Sequence, residues 1–321
     1  MMTATVPAPA RTRGSRAGAS RRRGTGRDPL ERQQRRLFWP FAAPALLFYA
    51  VLFLAPIAYS AYISLYRWDG MGAKTWKGFG NYQTLIDDPT FHTSLKNTLT
   101  ILVVGGVVTF GIAFTLTLAL REMWGRMFAR SALFFPCLVN AMVFGASAGF
   151  IFHPSGPVNT ALRWAGVDDP PKWLSTDNSF SMITAIVIWS ATGYYTTIIM
   201  AAVDQIPPYL YEAAELEGAG AWRKFWHVTL PLSWDVVSVC AVLWTVSSVK
   251  IFEIVLLFGT ANTNPSVKSW TTAMYVYQSA FPQSAVPRLG LAAAAAIVSL
   301  LMVAVFTVVL RRLMRRDPIQ F

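Results

Sequence analysis

Charged residues are scarce in this chain. Asp, Glu, Lys and Arg make up 14% of its 321 residues, against about 25% in soluble domains. Together with a hydrophobic share of 54%, that shortage excludes an ordinary soluble fold and points to an integral membrane protein. Cys137 and Cys240 are its two cysteines, and each sits in an apolar run. They read as small buried hydrophobes rather than a disulfide or a metal pair. His92, His153 and His227 are far apart and lack ligand spacing. No cluster of His, Asp or Cys suited to a membrane enzyme is visible. A phosphate loop is also missing, since it needs a glycine-rich turn ending Gly-Lys-Ser/Thr after a strand. The nearest stretch, Gly70-Met71-Gly72-Ala73-Lys74-Thr75, has the wrong spacing.

The formal net charge of +12 is concentrated at one end. Residues 1–37 hold ten arginines against Asp28 and Glu31. The rest of the chain is only mildly basic, which argues against a nucleic-acid-binding face on a folded domain. Rich in Arg, Gly, Ser, Ala and Pro, residues 1–37 read as a disordered cytoplasmic tail that holds the N-terminus inside and touches anionic lipid. They lack the short apolar core and cleavage site of a signal peptide.

What is abundant is long apolar runs. Six of them, at about 38–66, 95–120, 131–152, 180–203, 232–258 and 289–310, have the ~20 residues that a bilayer core demands. Trp39, Tyr62, Tyr66 and Trp68 flank the first as interfacial anchors. The predicted fold is all-α, with six transmembrane helices and both termini cytoplasmic. In that orientation the inner segments carry 19 Lys or Arg and the outer loops 7, as the positive-inside rule requires. Lys250 and Glu253, three apart near the outer end of the fifth span, are expected to share a helix face.

One polar island interrupts this pattern at 209–232, on the cytoplasmic side. Leu210, Ala213, Ala214 and Leu216 suit one short helix. Gly218 and Gly220 suit a turn, and Ala221, Trp222, Phe225 and Trp226 suit a second short helix. Pro231, which lacks an amide donor, suits the first turn of the next span.

Glu212-Ala213-Ala214, then Gly218, then Val228-Thr229-Leu230-Pro231 resembles the EAA signature of ABC importer permeases, with Val228 where Ile is commoner. Further matches are Gly78-Phe79-Gly80-Asn81-Tyr82, Asp88-Pro89, Asn97-Thr98-Leu99, Phe134-Phe135-Pro136, Trp173-Leu174 and Ile206-Pro207. They extend the resemblance over residues 38–312 and narrow it to carbohydrate-type permeases, the group that includes maltose and glycerol-3-phosphate importers. Phe258-Gly259-Thr260-Ala261-Asn262 departs from that group's glycine-rich turn.

The resemblance implies a type I importer permease in the bacterial cytoplasmic membrane. Residues 38–312 form its permease domain, 209–227 its coupling helices and 313–321 a cytoplasmic C-terminus. Its implied partners are a second homologous permease, two copies of a cytoplasmic ATPase that bind ATP and Mg, and an extracytoplasmic solute-binding protein. No cofactor is expected in this chain and no catalytic residue. Glu212, Ala213, Ala214, Gly218, Leu230 and Pro231 would couple it to the ATPase.

The family's sugar-contact positions fall on Cys137, Ala141, Ser190, Ala191, Trp244, Ser247, Ser248 and Ile251, with Asn140 and Trp189 as neighbours. A neutral sugar or oligosaccharide is the expected solute. Import of glycerol-3-phosphate or a polyol is the alternative, and a standalone secondary transporter is the rival class. The latter would want intramembrane carboxylates or helix repeats, and Glu253 is the acidic candidate within a span.

Overall fold

The computed structural model describes residues 29–121, 123–258 and 265–315, with side chains from Phe38 onward. Most of the tail read at 1–37, the turn following Phe258, and the C-terminus from residue 316 lie outside the described residues. The chain divides into two units, residues 1–56 and 57–321. The first holds α1 (Pro29–Tyr49), which begins inside the segment read as a tail, and a π turn at Ala50–Leu54. α2 (Ala55–Ile63) comes next in sequence.

Among the described residues four helical runs are long and apolar enough to cross a membrane: Phe38–Ile63, Pro89–Arg121, Ser179–Val203 and Leu289–Met314. They fall on the first, second, fourth and sixth spans expected from hydropathy. The third and fifth differ from expectation because neither is one straight helix. Residues 131–152 divide into α6 (Arg126–Leu138) and α7 (Ala141–Ile151), bent by 97°. Asn140 starts α7 afresh by accepting the Met142 amide at 2.9 Å. Residues 232–258 divide into α13 (Trp234–Val249) and α14 (Glu253–Phe258). A second bend of 75° separates Ala221–Leu232 from α13. Counting each bent pair as one span gives six crossings.

The break after α13 corrects the expectation for Lys250 and Glu253. Lys250 caps the end of α13 and Glu253 opens α14, so no helix face contains both. Each charge instead matches the dipole of its own helix end.

Around these spans the chain is stitched by polar side chains. A short hairpin, β1 (Tyr66–Arg67) with β2 (Thr75–Trp76), leads to α3 (Gly80–Asp87) and α4 (Pro89–Thr100). A π turn at Ile101–Gly105 joins α4 to α5 (Gly106–Arg121), and α8 (Pro157–Trp164) precedes α9 (Ser179–Val203). The chain ends in α15 (Thr272–Ala280) and α16 (Leu289–Met314). Asn97 donates to the carbonyls of Lys268 and Trp270 at 2.8 and 2.9 Å, which ties α4 to the segment before α15. Asp88 caps α4 through the Thr90 amide at 2.8 Å and accepts the Tyr275 hydroxyl of α15 at 2.7 Å. Burial raises its pKa, but the bonds from Tyr275 and the Thr90 and Phe91 amides outweigh that and hold it below the usual value.

α9 is the central helix, packed on α5 and α6. Its closest approach is at Gly193, where an added Cβ would stand 1.7 Å from the Leu133 carbonyl of α6. Backbones approach this closely only through small residues. Gly193→Ala is therefore expected to collapse the yield of folded protein in detergent, while Gly111→Ala, which meets nothing within 4 Å, leaves it unchanged. The Asp88 clamp contributes fully above the unfolded carboxyl value of about 3.9 and is lost as pH falls through its lower folded value. Thermal melts should show this acid-side loss in the wild type and a weaker one in Asp88→Asn.

Candidate functional site

Two features answer to the sequence pattern: a helical hairpin around residue 218 and a cavity among the broken helices. In the hairpin, α10 (Pro208–Leu216) ends in a motif that only a left-handed residue permits. Gly218 has φ +75°. Its amide reaches the Glu215 carbonyl and the Ala219 amide the Ala214 carbonyl, both at 2.9 Å. These paired bonds satisfy the last carbonyls of α10 and reverse the chain. The second arm runs through α11 (Ala221–Lys224), a π turn at Phe225–Thr229 and α12 (Leu230–Leu232). Leu230 and Pro231 thus belong to the last turn before the 75° bend, not to the first turn of straight α13.

The hairpin is cross-tied. Lys224 Nζ lies 2.5 Å from Glu215 Oε1, and this pairing holds the Glu215 carboxyl below its usual range. The Tyr211 and Thr229 hydroxyls bond at 3.1 Å inside the hairpin. Its base is held by Arg121 over the Tyr211 ring at 3.7 Å and by the Phe114–Phe225 edge contact at 5.4 Å. Glu212 and Ala213 are exposed on the outer surface of α10, together with Tyr209 and Leu216, and Ala214 is half-buried.

The cavity, of about 360 Å³, lies where α6, α7, α9 and α13 meet the Lys250–Phe252 break. It brings together Cys137, Ala141, Ser190, Ala191, Trp244, Ser247, Ser248 and Ile251. Asn140 and Trp189 are not on its lining: Asn140 caps α7, and Trp189 is exposed, its ring tilted against that of Phe144 at 5.1 Å. Among the lining residues absent from the expected set are two tyrosines, Tyr194 and Tyr195; the others, such as Phe144 and Leu243, are apolar. Each tyrosine stands four residues, about one helical turn, after Ser190 or Ala191, so helical periodicity is the signal that points to them.

Among the described residues no charged one lines this cavity. Ser190 and Ser248 donate to their own helix, to Val187 O at 3.0 Å and Thr245 O at 3.1 Å, which leaves their oxygens free to accept. Ser247 interacts with the Tyr195 hydroxyl. Trp244 is buried, and its indole donates to Leu102 O in the Ile101–Gly105 π turn at 2.8 Å. It stands edge-on to Tyr195 at 5.9 Å. The lining thus offers hydroxyl acceptors and aromatic surface, suited to an uncharged polyhydroxyl ligand.

Helices that cross together yet break around a shared cavity are built as a membrane permease is built. Residues 108–316 match the family described as binding-protein-dependent transport system inner membrane component, and the chain belongs to that family. It is 30% identical over 289 residues to the lactose transport system permease protein LacF of Rhizobium radiobacter, covering 88% of this chain and 95% of that one. It is 29% identical to the probable starch degradation products transport system permease protein AmyD of Thermoanaerobacterium thermosulfurigenes, covering 85% and 91%. A chain of a bacterial ABC transporter involved in import of the polysaccharide alginate shares the fold, with a TM-score of 0.76 at 22% identity over 89% of this chain and 98% of that one. The chain therefore has the all-α, type I importer permease fold and a multi-pass position in the cell membrane.

The two cysteines offer a direct check. Cys137 is exposed towards the cavity and Cys240 is fully buried. A small membrane-permeant maleimide should label Cys137 in the native protein and Cys240 only after denaturation. Mass spectrometry of the labelled peptides reads the result.

Proposed function

We propose that the chain is a permease subunit importing a neutral carbohydrate. It would form the translocation path with a second, homologous permease and receive solute from an extracytoplasmic binding protein. Two copies of a cytoplasmic ATPase, which bind ATP and Mg, would drive the cycle. The uncharged, hydroxyl-bearing and aromatic lining of the central cavity carries this reading. The relatives named for lactose and starch degradation products support it. For a glycerol-3-phosphate importer, the alternative, a cation in the path would be expected. Lys250 is not part of the lining, which favours the sugar.

The mechanism rests on one mechanical link. Glu212 and Ala213, with the half-buried Ala214 beside them, present a surface for a cleft on the ATPase, and Gly218 sets the turn that shapes it. Leu230 and Pro231 pass from the hairpin through the 75° bend into α13. α13 carries Trp244, Ser247 and Ser248 to the cavity wall. Displacing the cross-tied hairpin therefore displaces that wall against α9. On this reading residues 38–312 are the permease domain, with 1–37 and 313–321 as cytoplasmic ends.

Two experiments test this. Glu212→Arg and Gly218→Val should lower ATP-dependent uptake by at least about tenfold while the chain still inserts at normal levels; such a loss is about 1.4 kcal/mol of coupling. Unchanged uptake in cells lacking any partner ATPase would refute the reading. Ser247→Phe, which fills the cavity, should abolish uptake of labelled lactose or maltodextrin and leave membrane levels unchanged.

A further inference from the structure

A second, larger pocket of about 640 Å³ is walled by the β1–β2 hairpin, α3 and the residues leading into α16. With both termini cytoplasmic, it opens on the outer face. Arg67, Lys77 and Arg288 converge on it. We propose that it is the docking pocket for acidic side chains of the extracytoplasmic solute-binding protein. This deepens the importer reading and rests on it.

Three observations support the assignment. The pocket carries uncompensated positive charge. Among the described residues the ion pairs are Arg126–Asp204, Lys224–Glu215 and Lys268–Asp177, so none of the three cations is paired. Lys77 bonds only neutral groups, Asn81 Oδ1 at 3.3 Å and Thr84 Oγ1 at 3.1 Å. Arg288 acts electrostatically on the Tyr275 phenol without an ion pair. Asp69, the one acid among the described residues of the lining, accepts the Gly72 and Met71 amides at 2.9 and 3.0 Å, and these bonds hold its carboxyl below the usual range. Its charge offsets one of the three cations, and the lining keeps an excess of positive charge.

The pocket is also preformed. Asn81, buried, donates to Ser64 O and Tyr66 O, both at 2.8 Å. Gly290 of α16 lies so close that an added Cβ would stand 1.9 Å from Tyr66 O. The hairpin is thus fixed to α3 and α16, and the pocket walls need no rearrangement of the backbone to receive a partner.

Size and lining favour a protein partner. A water occupies about 30 Å³, so this volume holds several side chains rather than one small anion. Hydrogen-bonding groups stand on all three walls, with Arg67 and Thr75 on the hairpin, Thr84 on α3 and Arg288 before α16. A lipid headgroup site would want an apolar groove for its tails. Matched charge across such a contact speeds association and weakens with salt.

The test uses the complete transporter in nanodiscs of phosphatidylcholine, with the binding protein that supports wild-type uptake. The readout is the binding-protein concentration giving half-maximal stimulation of ATP hydrolysis. Arg67→Glu and Arg288→Glu should each raise it about tenfold or more and flatten its salt dependence, with the maximal rate retained. Arg67→Gln and Arg288→Gln, milder changes, should shift it in the same direction. Lys172→Glu, in another outer loop, should not, and an acid-to-lysine change on the binding protein should restore Arg288→Glu. Unchanged half-saturation in well-assembled charge-reversal variants would overturn the proposal. So would stimulation that depends on phosphatidylglycerol, or competition by millimolar inorganic phosphate, which point to a lipid or a small anion. Wild-type uptake independent of any binding protein would overturn the importer reading itself, and this assignment with it.

Discussion

Every backbone donor and acceptor that a helix break exposes inside a membrane needs a protein partner, because lipid supplies none. The central cavity exists only where that demand is met. At the α6–α7 bend the Asn140 side chain takes the Met142 amide. At the break after α13, Thr271 donates its hydroxyl to Ile251 O at 2.5 Å. In the π turn before α5, the Trp244 indole takes Leu102 O. Each partner comes from an element that also walls or braces the cavity. The opening in the helix bundle and the polar contacts that permit it are therefore one construction.

The same demand separates what is legible in the sequence from what is not. Long apolar runs reveal crossings, since hydropathy reports transfer free energy over ~20 residues. It does not report dihedral angles, so the 97° bend is invisible to it although Pro136 and Asn140 stand beside the break. Lys250 and Glu253 are readable as the end of one helix and the start of the next, but a run of apolar neighbours suggests a continuous face. The hairpin at 209–232 is legible because its turn needs a residue tolerant of positive φ, and Gly218 is that residue. The basic outer pocket is not legible. It depends on the pairing of Tyr66 with Trp76 and of Arg67 with Thr75, and on side chains far apart in the chain.

The energetics divide the molecule into fixed and movable parts. α9 is pinned by the Gly193 approach to α6, where backbones meet without intervening side chains. The hairpin around Gly218 is braced internally by Lys224–Glu215 and Tyr211–Thr229. Between the two lies the bend at Ser233, whose hydroxyl donates to Thr229 O at 2.7 Å. A stiff hairpin, a hinge and a fixed partner helix suffice to convert a push at one end into a change of cavity shape.

The π turn at Ile101–Gly105 has an evolutionary consequence. Such turns arise from one residue inserted into an α-helix, and each residue rotates the downstream helix by about 100°. Beyond the turn, Thr109, Ala113 and Thr117 lie buried on one face of α5. Deleting a single residue from the turn would swing that face towards lipid and withdraw the Leu102 carbonyl from Trp244. The second span is thus intolerant of length change at this point, and related chains that keep the cavity are expected to vary here by substitution, never by insertion or deletion.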